Sequence, residues 1–327
     1  MTSSPSLALT LRHPTLEDVP AITQQINAAH FFDTGVATVV TEERLRSLWD
    51  APGIDIPGSV YLAHDPDGQM VGFATCIGLP PYAEIETEIT VTPDLRGQGI
   101  EETLLQAVID HAIRVHMPQA DPTSQIVLKA SADERSLWQN QFLQTHNFQV
   151  ARGFWKMQID FDGPLPTPTW PAGIEPRPYD PATQTQAVYD AVMDAFSEHW
   201  GFRGIPFEQW EFIINRDCPD PTLWFNVWSG DEIAGLALCT AERPDTPDIG
   251  YVADLGVRRN YRKLGLGLAL LHHAFGEFQR RGKVGVNLHV DSENMTGATR
   301  LYERAGMHII ETSWKYRRVL RESTPSS

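Results

Sequence analysis

The amino-acid sequence predicts an α/β fold made of two similar domains in tandem, each built on a mixed sheet. Its 327 residues are about twice the length of an ordinary domain. The two halves also end alike, because FQVARGFWKMQI at residues 148–159 resembles MHIIETSWKYRR at residues 307–318. Strand-like and helix-like stretches alternate in the same order in both halves. Together these observations predict an internal duplication.

The predicted elements follow the same order in each half. An amphipathic helix opens each one, at residues 16–30 and 182–196. A strand pair with a DG or GD turn comes next, at residues 59–77 and 222–240. The strands IETEITV and IGYVADLGV then lead into loops that contain glycine. A helix, a buried strand, a second helix and a closing strand complete each half.

A proline-rich stretch marks the boundary between the halves. Residues 162–181 read DGPLPTPTWPAGIEPRPYDP, and this run of prolines denies the backbone both helix and sheet hydrogen bonds. We therefore predict a first domain at residues 1–160, a linker at residues 161–176 and a second domain at residues 177–321.

Composition and charge exclude several classes of protein. Lys and Arg total 26 against 42 Asp and Glu, and the net charge of −16 opposes non-specific binding to nucleic acid or to an anionic membrane. Cys76, Cys218 and Cys239 are widely spaced, which predicts neither a disulfide framework nor a zinc knuckle. The N-terminus does not resemble a secretory signal, and no apolar run is long enough to cross a bilayer. The expectation is a cytoplasmic protein.

The glycine loop of the second half is the strongest functional motif. Residues 262–267 read RKLGLG and connect a strand to a helix, so backbone N–H groups converge at the positive helix end. Such a place can hold a pyrophosphate, and Gly265 and Gly267 would let it approach the backbone. Arg258 and Arg259 add positive charge nearby. The alternative is a glycine helix start followed by a solvated basic turn.

This motif carries a family resemblance. RKLGLG, with IGYVADLGV before it and DSENMTGATRLYERAGM after it, resembles the GNAT superfamily of acetyl-CoA-dependent N-acetyltransferases. The resemblance covers residues 172–321, and residues 8–160 resemble the same fold with altered motifs. It implies two tandem GNAT-like acyl-CoA N-acyltransferase domains, acetyl-CoA as cosubstrate, a small-molecule amine as acceptor and no metal.

The resemblance also implies which residues contact the coenzyme. The strand backbone would pair with the pantetheine arm and receive the acetyl carbonyl, with the strand splayed at Gly256. The loop would wrap the pyrophosphate, and Asn294 would contact the coenzyme from the other side, unless it is a plain helix cap. The implied coenzyme-binding set is Leu255, Gly256, Val257, Arg262, Lys263, Leu264, Gly265, Leu266, Gly267, Leu268 and Asn294.

Catalytic and acceptor-binding residues follow from the same resemblance and from amine chemistry. Tyr302 stands where many GNAT enzymes carry the tyrosine that faces the coenzyme sulfur, and the alternative is a half-buried packing residue. The acceptor amine must lose a proton, for which Asp254 and His199 are candidate bases. Glu198, His199 and Trp200 form the predicted acceptor patch, and the alternative is a helix end with Trp200 in the core.

The first half carries altered versions of these motifs. Glu101 stands where the second half has Gly267, so a carboxylate would project into the phosphate cradle. Leu143 aligns with Tyr302, and Arg135 aligns with Asn294. We therefore predict that the first domain is not catalytic, although a weakly bound coenzyme stays open.

The remaining histidines are expected to have structural roles. The pair His111 and His116 and the pair His272 and His273 lack the spacing of a helical zinc site, which favours solvated helix faces. His289 is expected in the interior. The sequence therefore predicts an N-acetyltransferase acting by direct attack of an amine in the C-terminal domain, without a metal. The alternative is an acyl-CoA-binding regulatory module without turnover.

Overall fold

The residue contacts divide the chain into two compact units. The computed structural model describes residues 8–199, 201–202, 204–241, 243–294 and 297–324. Unit 1 comprises Met1–Gly153 and Ser313–Ser327, and unit 2 comprises Phe154–Thr312. Each unit has a mixed sheet with helices, as the sequence predicts.

Twelve strands and nine α-helices are described. The strands are β1 (Thr10–Arg12), β2 (Val60–His64), β3 (Met70–Gly78), β4 (Glu84–Val91), β5 (Ile126–Asp133), β6 (Gln149–Asp160), β7 (Glu175–Arg177), β8 (Trp224–Ser229), β9 (Glu232–Thr240), β10 (Ile249–Val257), β11 (Gly285–Asp291) and β12 (His308–Arg321). The helices are α1 (Val19–Thr34), α2 (Glu42–Ser47), α3 (Ile56–Ser59), α4 (Ile100–His111), α5 (Leu137–Thr145), α6 (Pro181–Phe196), α7 (Phe207–Asp217), α8 (Leu266–Arg280) and α9 (Ala298–Arg304).

The sheet of unit 1 has the strand order β1-β2-β3-β4-β5-β12. Among its described strands the parallel pair is β4 and β5, and their ladder extends from Glu84↔Val127 to Glu86↔Lys129. Residues 313–321 of β12 pair antiparallel with β5 and complete the sheet. α4 packs on this sheet with Ile100, Leu104 and Val108 fully buried, so helix α4 anchors the core of the unit.

The sheet of unit 2 has the order β6-β11-β10-β9-β8-β7. β10 and β11 are its parallel pair, and residues 154–160 of β6 pair antiparallel with β11. The apolar face of α8 packs against β9 and β10. Gly250 makes this packing possible, because a Cβ there would stand 2.5 Å from the ring of Phe278.

The unit boundaries differ from the predicted domain limits in the closing strands. Sequence analysis assigns residues 154–160 to the first domain and residues 313–321 to the second. The structure places residues 154–160 in unit 2, because they pair with β11, and residues 313–321 in unit 1, because they pair with β5. The proline-rich stretch belongs to unit 2, where β7 pairs with β8.

Some helices were not predicted. α7 is one of them, and it buries Trp210 and Ile214, one helical turn apart, against α6. The helices of the described residues include none with the length and apolar character needed to span a membrane.

Candidate active site

The two parallel strands of unit 2 separate near the middle of the sheet. Their ladder runs from Ile249↔Gly285 to Val252↔Leu288, whereas β10 continues to Val257 and β11 to Asp291. The register between β10 and β9 shifts between Val252 and Asp254, so Ala253 is the extra residue of a bulge. The edge of β10 that faces β11 therefore has backbone groups beyond the parallel ladder, where a ligand backbone can bind.

The bulge lies at Ala253 and not at Gly256, where the sequence analysis placed the splay. Gly256 pairs in register with Leu236. A Cβ at Gly256 would stand 2.9 Å from the Cβ of Ala195, so this glycine is required by the close approach of α6.

The second loop, residues 262–267, presents backbone N–H groups at the start of α8. Gly265 is the N-cap residue with φ of 84°, and no side chain caps this helix end. Lys263 adopts φ of 66° and is exposed, and it makes no hydrogen bond or ion pair with the described residues. The loop therefore combines open N–H donors with an available cation, which suits a pyrophosphate.

Arg262 makes contacts within unit 2 that the sequence analysis does not predict, while its contact with the coenzyme stays a prediction. Its NH1 donates to Oε2 of Glu198 at 2.6 Å, its Nε to the carbonyl of Val257 at 3.2 Å and its NH2 to the carbonyl of Ala195 at 3.2 Å. These bonds tie the end of α6 to the end of β10. Arg262 thus holds the loop in place, and the exposed Lys263 is the better cation for a phosphate.

Two of the three residues of the predicted acceptor patch lie within the described part of the chain, and the acceptor role of the patch stays a prediction. Glu198 accepts from both Arg259 and Arg262, and these hydrogen bonds and charges hold the pKa of its carboxyl below the usual range. It is therefore an ion-pair partner and a poor base. His199 is half-buried with its ring edge-on to Phe196 at 4.6 Å, and burial lowers its pKa. Trp200 lies outside the described residues.

Asp254 lies on β10 beyond its ladder with β11, and Tyr302 of α9 lies near enough for the Asp254 charge to act on it. Burial raises the pKa of Asp254 to about 6, with a smaller contribution from Asp217. Burial also raises the pKa of Tyr302 above its usual value, and the charges of Tyr251 and Asp254 add to the shift. Neither Asp254 nor the Tyr302 hydroxyl makes a hydrogen bond or ion pair within the described part of the chain. Both side chains are therefore available to a ligand.

Tyr251 is a residue of this site that sequence analysis missed. Its hydroxyl lies 3.1 Å from Nδ1 of His289, and burial raises its pKa to about 12. The guanidinium of Arg243 lies 4.3 Å from the centre of its ring. Side chains three residues apart on a regular strand point to opposite faces, and only the bulge at Ala253 brings Tyr251 and Asp254 to one face, so the sequence carries no signal for Tyr251. His289 is exposed and not interior, because it lies at the end of β11 that has separated from β10.

Asn294 lies in the turn that follows β11, where its backbone N–H donates to the carbonyl of Asp291 at 3.1 Å. It is therefore close in sequence to α9, which carries Tyr302. Its predicted contact with the coenzyme stays a prediction.

The corresponding first loop, residues 96–101, is filled by its own chain. Oε1 of Glu101 accepts a hydrogen bond from the backbone N–H of Gly97 at 2.6 Å, and the Glu101 side chain is buried. The sequence analysis expected this carboxylate in the cradle, and the structure confirms it. Arg96 forms a bidentate ion pair with Asp33, with N–O distances of 2.6 and 3.1 Å. In the second loop Arg262 forms a single charged hydrogen bond with Glu198. The arginine–carboxylate pair is thus a feature of both loops.

Comparison with known proteins gives the family. The sequence profile of the acetyltransferase (GNAT) family matches residues 29–120 and 185–307, which is more than half of the chain. The chain belongs to the GNAT acetyltransferase family. A mycothiol acetyltransferase of Geodermatophilus obscurus is 28% identical over 308 residues, which cover 91% of this chain and 94% of the relative.

Solved structures agree with this assignment. A GCN5-related N-acetyltransferase from Sphaerobacter thermophilus has 30% identity and a TM-score of 0.78, with 99% of each chain covered. A tandem GNAT protein from the clavulanic acid biosynthesis pathway has the same fold at 14% identity, with a TM-score of 0.72 and coverage of 98% of this chain and 100% of that chain. The protein is therefore an acetyl-CoA-dependent N-acetyltransferase with two GNAT segments.

His111 and His116 of this GNAT protein are not on a solvated helix face, which corrects the sequence analysis, whereas His272 and His273 are partly exposed on α8. His111 and His116 are each 5% exposed. A π-helical turn at Ala112–His116 follows α4, and it turns both rings into the core. His273 is half-buried, with its ring edge-on to Phe225 at 4.8 Å. The α-helical spacing used for the prediction does not hold through the π-helical turn.

Proposed function

We propose that acetyl transfer takes place in unit 2 and that unit 1 does not turn over. The observation that carries this proposal is the contrast between the two loops. In the first loop the Glu101 carboxylate takes the Gly97 N–H, whereas Gly267 in the equivalent position of the second loop carries no side chain. Only the second loop therefore leaves its N–H donors free for the pyrophosphate of acetyl-CoA.

Asp254 is the proposed base for the acceptor amine. An amine must lose a proton before it attacks the thioester, and a base with a pKa near the working pH serves best. The pKa of Asp254 is raised to about 6, so its carboxylate is ionised at pH 7 and still basic enough to accept a proton. Its position two residues before Gly256 sets it beside the strand segment proposed to hold the acetyl group.

β10 and Tyr302 complete the proposed reaction site. Backbone N–H groups of residues 255–257, on the edge of β10 beyond its ladder with β11, would bind the pantetheine arm and the acetyl carbonyl oxygen. The amine nitrogen forms a bond to the acetyl carbon while the bond from carbon to sulfur breaks. Tyr302 stays neutral at physiological pH because its pKa is raised, so its hydroxyl can donate to the departing thiolate.

The proposed acceptor is a primary amine of a small molecule, and the unacetylated form of mycothiol is the leading candidate. The support is the name of the relatives, mycothiol acetyltransferase, and alignments that cover most of both chains. His199 follows α6, whose close approach to β10 at Gly256 brings it near the strand proposed to hold the acetyl group. It is proposed to position the acceptor, while Glu198 is assigned to the loop.

The test is a transfer assay with acetyl-CoA labelled in the acetyl group, offered with unacetylated mycothiol or with a panel of small amines. Mass spectrometry of the product separates acetylation of nitrogen from release of coenzyme by hydrolysis. Acetylated amine that disappears in the Gly267→Glu variant and persists in Glu101→Gln supports the proposal. Saturable acetyl-CoA binding with no product from any amine would instead favour a regulatory binding module.

A further inference from the structure

Unit 1 contains a buried cluster of one cysteine and two histidines. Cys76 lies on β3, His111 ends α4 and His116 ends the following π-helical turn. Cys76 is fully buried, and each histidine is 5% exposed. One side-chain ligand atom from each residue lies within 4.8 Å of the other two. Three residues that commonly bind transition metals therefore converge at one point in the core.

The π-helical turn is what brings the two histidines together. In an α-helix, residues five apart point about 140° away from each other. Here the N–H of Met117 bonds to the carbonyl of Ala112, an i→i+5 bond, and residues five apart then lie on one face. Gly78 makes room for the second ring, because a Cβ there would stand 2.8 Å from Nδ1 of His116. π-Helical turns of this kind occur frequently at functional sites.

One ring nitrogen of each histidine already has a hydrogen-bond partner. Nε2 of His116 lies 3.0 Å from the carbonyl of Cys76, to which it can only donate. Nδ1 of His111 lies 2.9 Å from the hydroxyl of Tyr61. Metal-binding histidines are usually oriented in this way, with one nitrogen on a carbonyl or hydroxyl and the other on the metal.

The second nitrogen of each ring has no partner among the described residues. Nε2 of His111 and Nδ1 of His116 are both buried without a hydrogen bond. The Cys76 thiol has one hydrogen, and its sulfur lies 3.5 Å from the carbonyl of Val108. Because Nε2 of His116 donates to a carbonyl, Nδ1 of the same neutral ring carries a lone pair, and a buried lone pair without a donor is unfavourable. A ligand that accepts electron pairs from all three atoms would remove this cost.

We propose that Cys76, His111 and His116 bind a d10 transition-metal ion, and that the ion is monovalent copper. Charge decides between copper and zinc. Cu⁺ with one thiolate and two neutral imidazoles is a neutral site, whereas Zn²⁺ would leave one positive charge in an apolar core of residues such as Val108 and Ala112. Three soft or borderline ligands also suit Cu⁺.

The binding step follows from the chemistry of the three ligands. A histidine binds a metal through the lone pair of a neutral ring nitrogen, and a cysteine binds it as a thiolate, so the Cys76 thiol must lose its proton. On binding, the S–H bond breaks, an S–Cu bond forms and one proton leaves to the buffer, with no change of oxidation state.

The test uses the full-length, reduced and metal-stripped protein under anaerobic conditions. It is titrated with Cu⁺ against bicinchoninate, and separately with Zn²⁺ against a chromophoric chelator. We expect one equivalent of Cu⁺ to bind, and the Cys76→Ala variant to bind it more than about 100-fold more weakly. Cys218→Ala is the matched control, because it removes a buried cysteine of unit 2 and should leave the affinity unchanged.

Measurements on the wild-type protein keep the proposal testable if Cys76→Ala does not fold. One equivalent of Cu⁺ should raise the melting temperature, and X-ray absorption at the copper edge should show one sulfur and two nitrogen neighbours. No stoichiometric binding, or binding that survives Cys76→Ala, overturns the proposal. One equivalent of Zn²⁺ bound in preference to Cu⁺ overturns the assignment to a monovalent ion. This test is independent of the reaction proposed for unit 2.

Discussion

The two glycine loops have similar backbone conformations, but a side chain fills the first loop and none fills the second. In both, a glycine with positive φ caps the following helix, at Gly99 in unit 1 and Gly265 in unit 2. In both, the arginine of the loop pairs with a carboxylate near the end of the opening helix. The two loops differ in the second residue of the following helix. In unit 1 this residue is Glu101, whose carboxylate accepts a hydrogen bond from the loop backbone. In unit 2 it is Gly267, which has no side chain to occupy the backbone N–H groups. One side chain therefore decides which copy can bind an anion.

The comparison also shows which features are structural. The Arg96–Asp33 pair occurs in the copy whose loop is filled, so the Arg262–Glu198 pair needs no substrate to explain it. A carboxyl on the strand before the loop also occurs in both copies, since Glu88 occupies the position of Asp254 and desolvation raises its pKa, so this carboxyl alone does not make a copy catalytic. What distinguishes unit 2 is the open loop, the bulge at Ala253 and Tyr302.

The largest effect is expected from removing the hydroxyl of Tyr302, since the aligned residue of unit 1, Leu143, has none. Tyr302→Phe should lower kcat by about 10²–10⁴-fold and leave acetyl-CoA affinity nearly unchanged, because the ring stays and the hydroxyl is lost. Tyr316→Phe is the control, since its hydroxyl donates to Asn140 in unit 1. Steady-state kinetics and calorimetric titration separate the two parameters. Full activity of Tyr302→Phe at every pH would assign Tyr302 to packing.

Asp254→Asn should lower kcat/KM for the acceptor by about 10²–10³-fold. In the wild type the rate should fall below about pH 6, where the carboxyl is protonated and cannot accept a proton, and the variant should lose this acidic limb. Glu88→Gln is the matched control in unit 1. An unchanged acidic limb in Asp254→Asn would exclude Asp254 as the base.

Asp254→Asn should also make the protein more stable at pH 7. The folded-state pKa of about 6 lies above the ordinary value of 3.8, so protonation favours folding. The free energy of unfolding should therefore fall as the pH rises from about 4 to 6, by up to about 3 kcal/mol. The variant should lack this fall and melt higher at pH 7. A lower melting temperature would indicate a structural role for the carboxylate.

Gly267→Glu should convert the second loop to the state of the first. The new carboxylate would take the N–H of Lys263 and repel the pyrophosphate, and acetyl-CoA affinity should fall about 100-fold. Because a Cβ at this position meets Leu301 at 2.8 Å, Gly267→Gln controls for the steric effect. Calorimetric titration measures both. An equal loss of acetyl-CoA affinity in both variants would show that the side-chain volume, and not the charge of the carboxylate, weakens binding.

The reverse change sharpens the comparison. Adding Glu101→Gly to the Gly267→Glu variant should open the first loop. The double variant should then bind acetyl-CoA about tenfold more tightly than Gly267→Glu alone. It should show no turnover, because Leu143 has no proton to donate. A thermal melt checks the cost of a glycine in the first helical turn. Acetylated product from this double variant would show that unit 1 can catalyse the reaction.

The smallest effect is expected at His199. His199→Ala should lower kcat/KM for the acceptor by less than about tenfold, because the side chain is proposed to position the acceptor and not to take its proton. Acetyl-CoA affinity should not change. A loss of 10² or more, together with a lost acidic limb, would make His199 the base in place of Asp254.

The sequence alone determined the duplication, the order of elements in each half and the state of each loop. These are local properties, since periodicity, glycine positions and a carboxylate four residues after Gly97 act through neighbouring backbone. For the same reason the sequence predicts the place of Glu101 in the cradle, and the structure agrees.

Only the tertiary structure decided what depends on distant partners. Residues 154–160 and 313–321 resemble each other, and nothing local says which sheet each one completes. Glu198 became an ion-pair partner because Arg262 reaches it across the loop, and Asp254 gained a pKa of about 6 because the surrounding fold removes water from it. His111 and His116 share a face only because the helix changes to an i→i+5 turn, which α-helical periodicity cannot show.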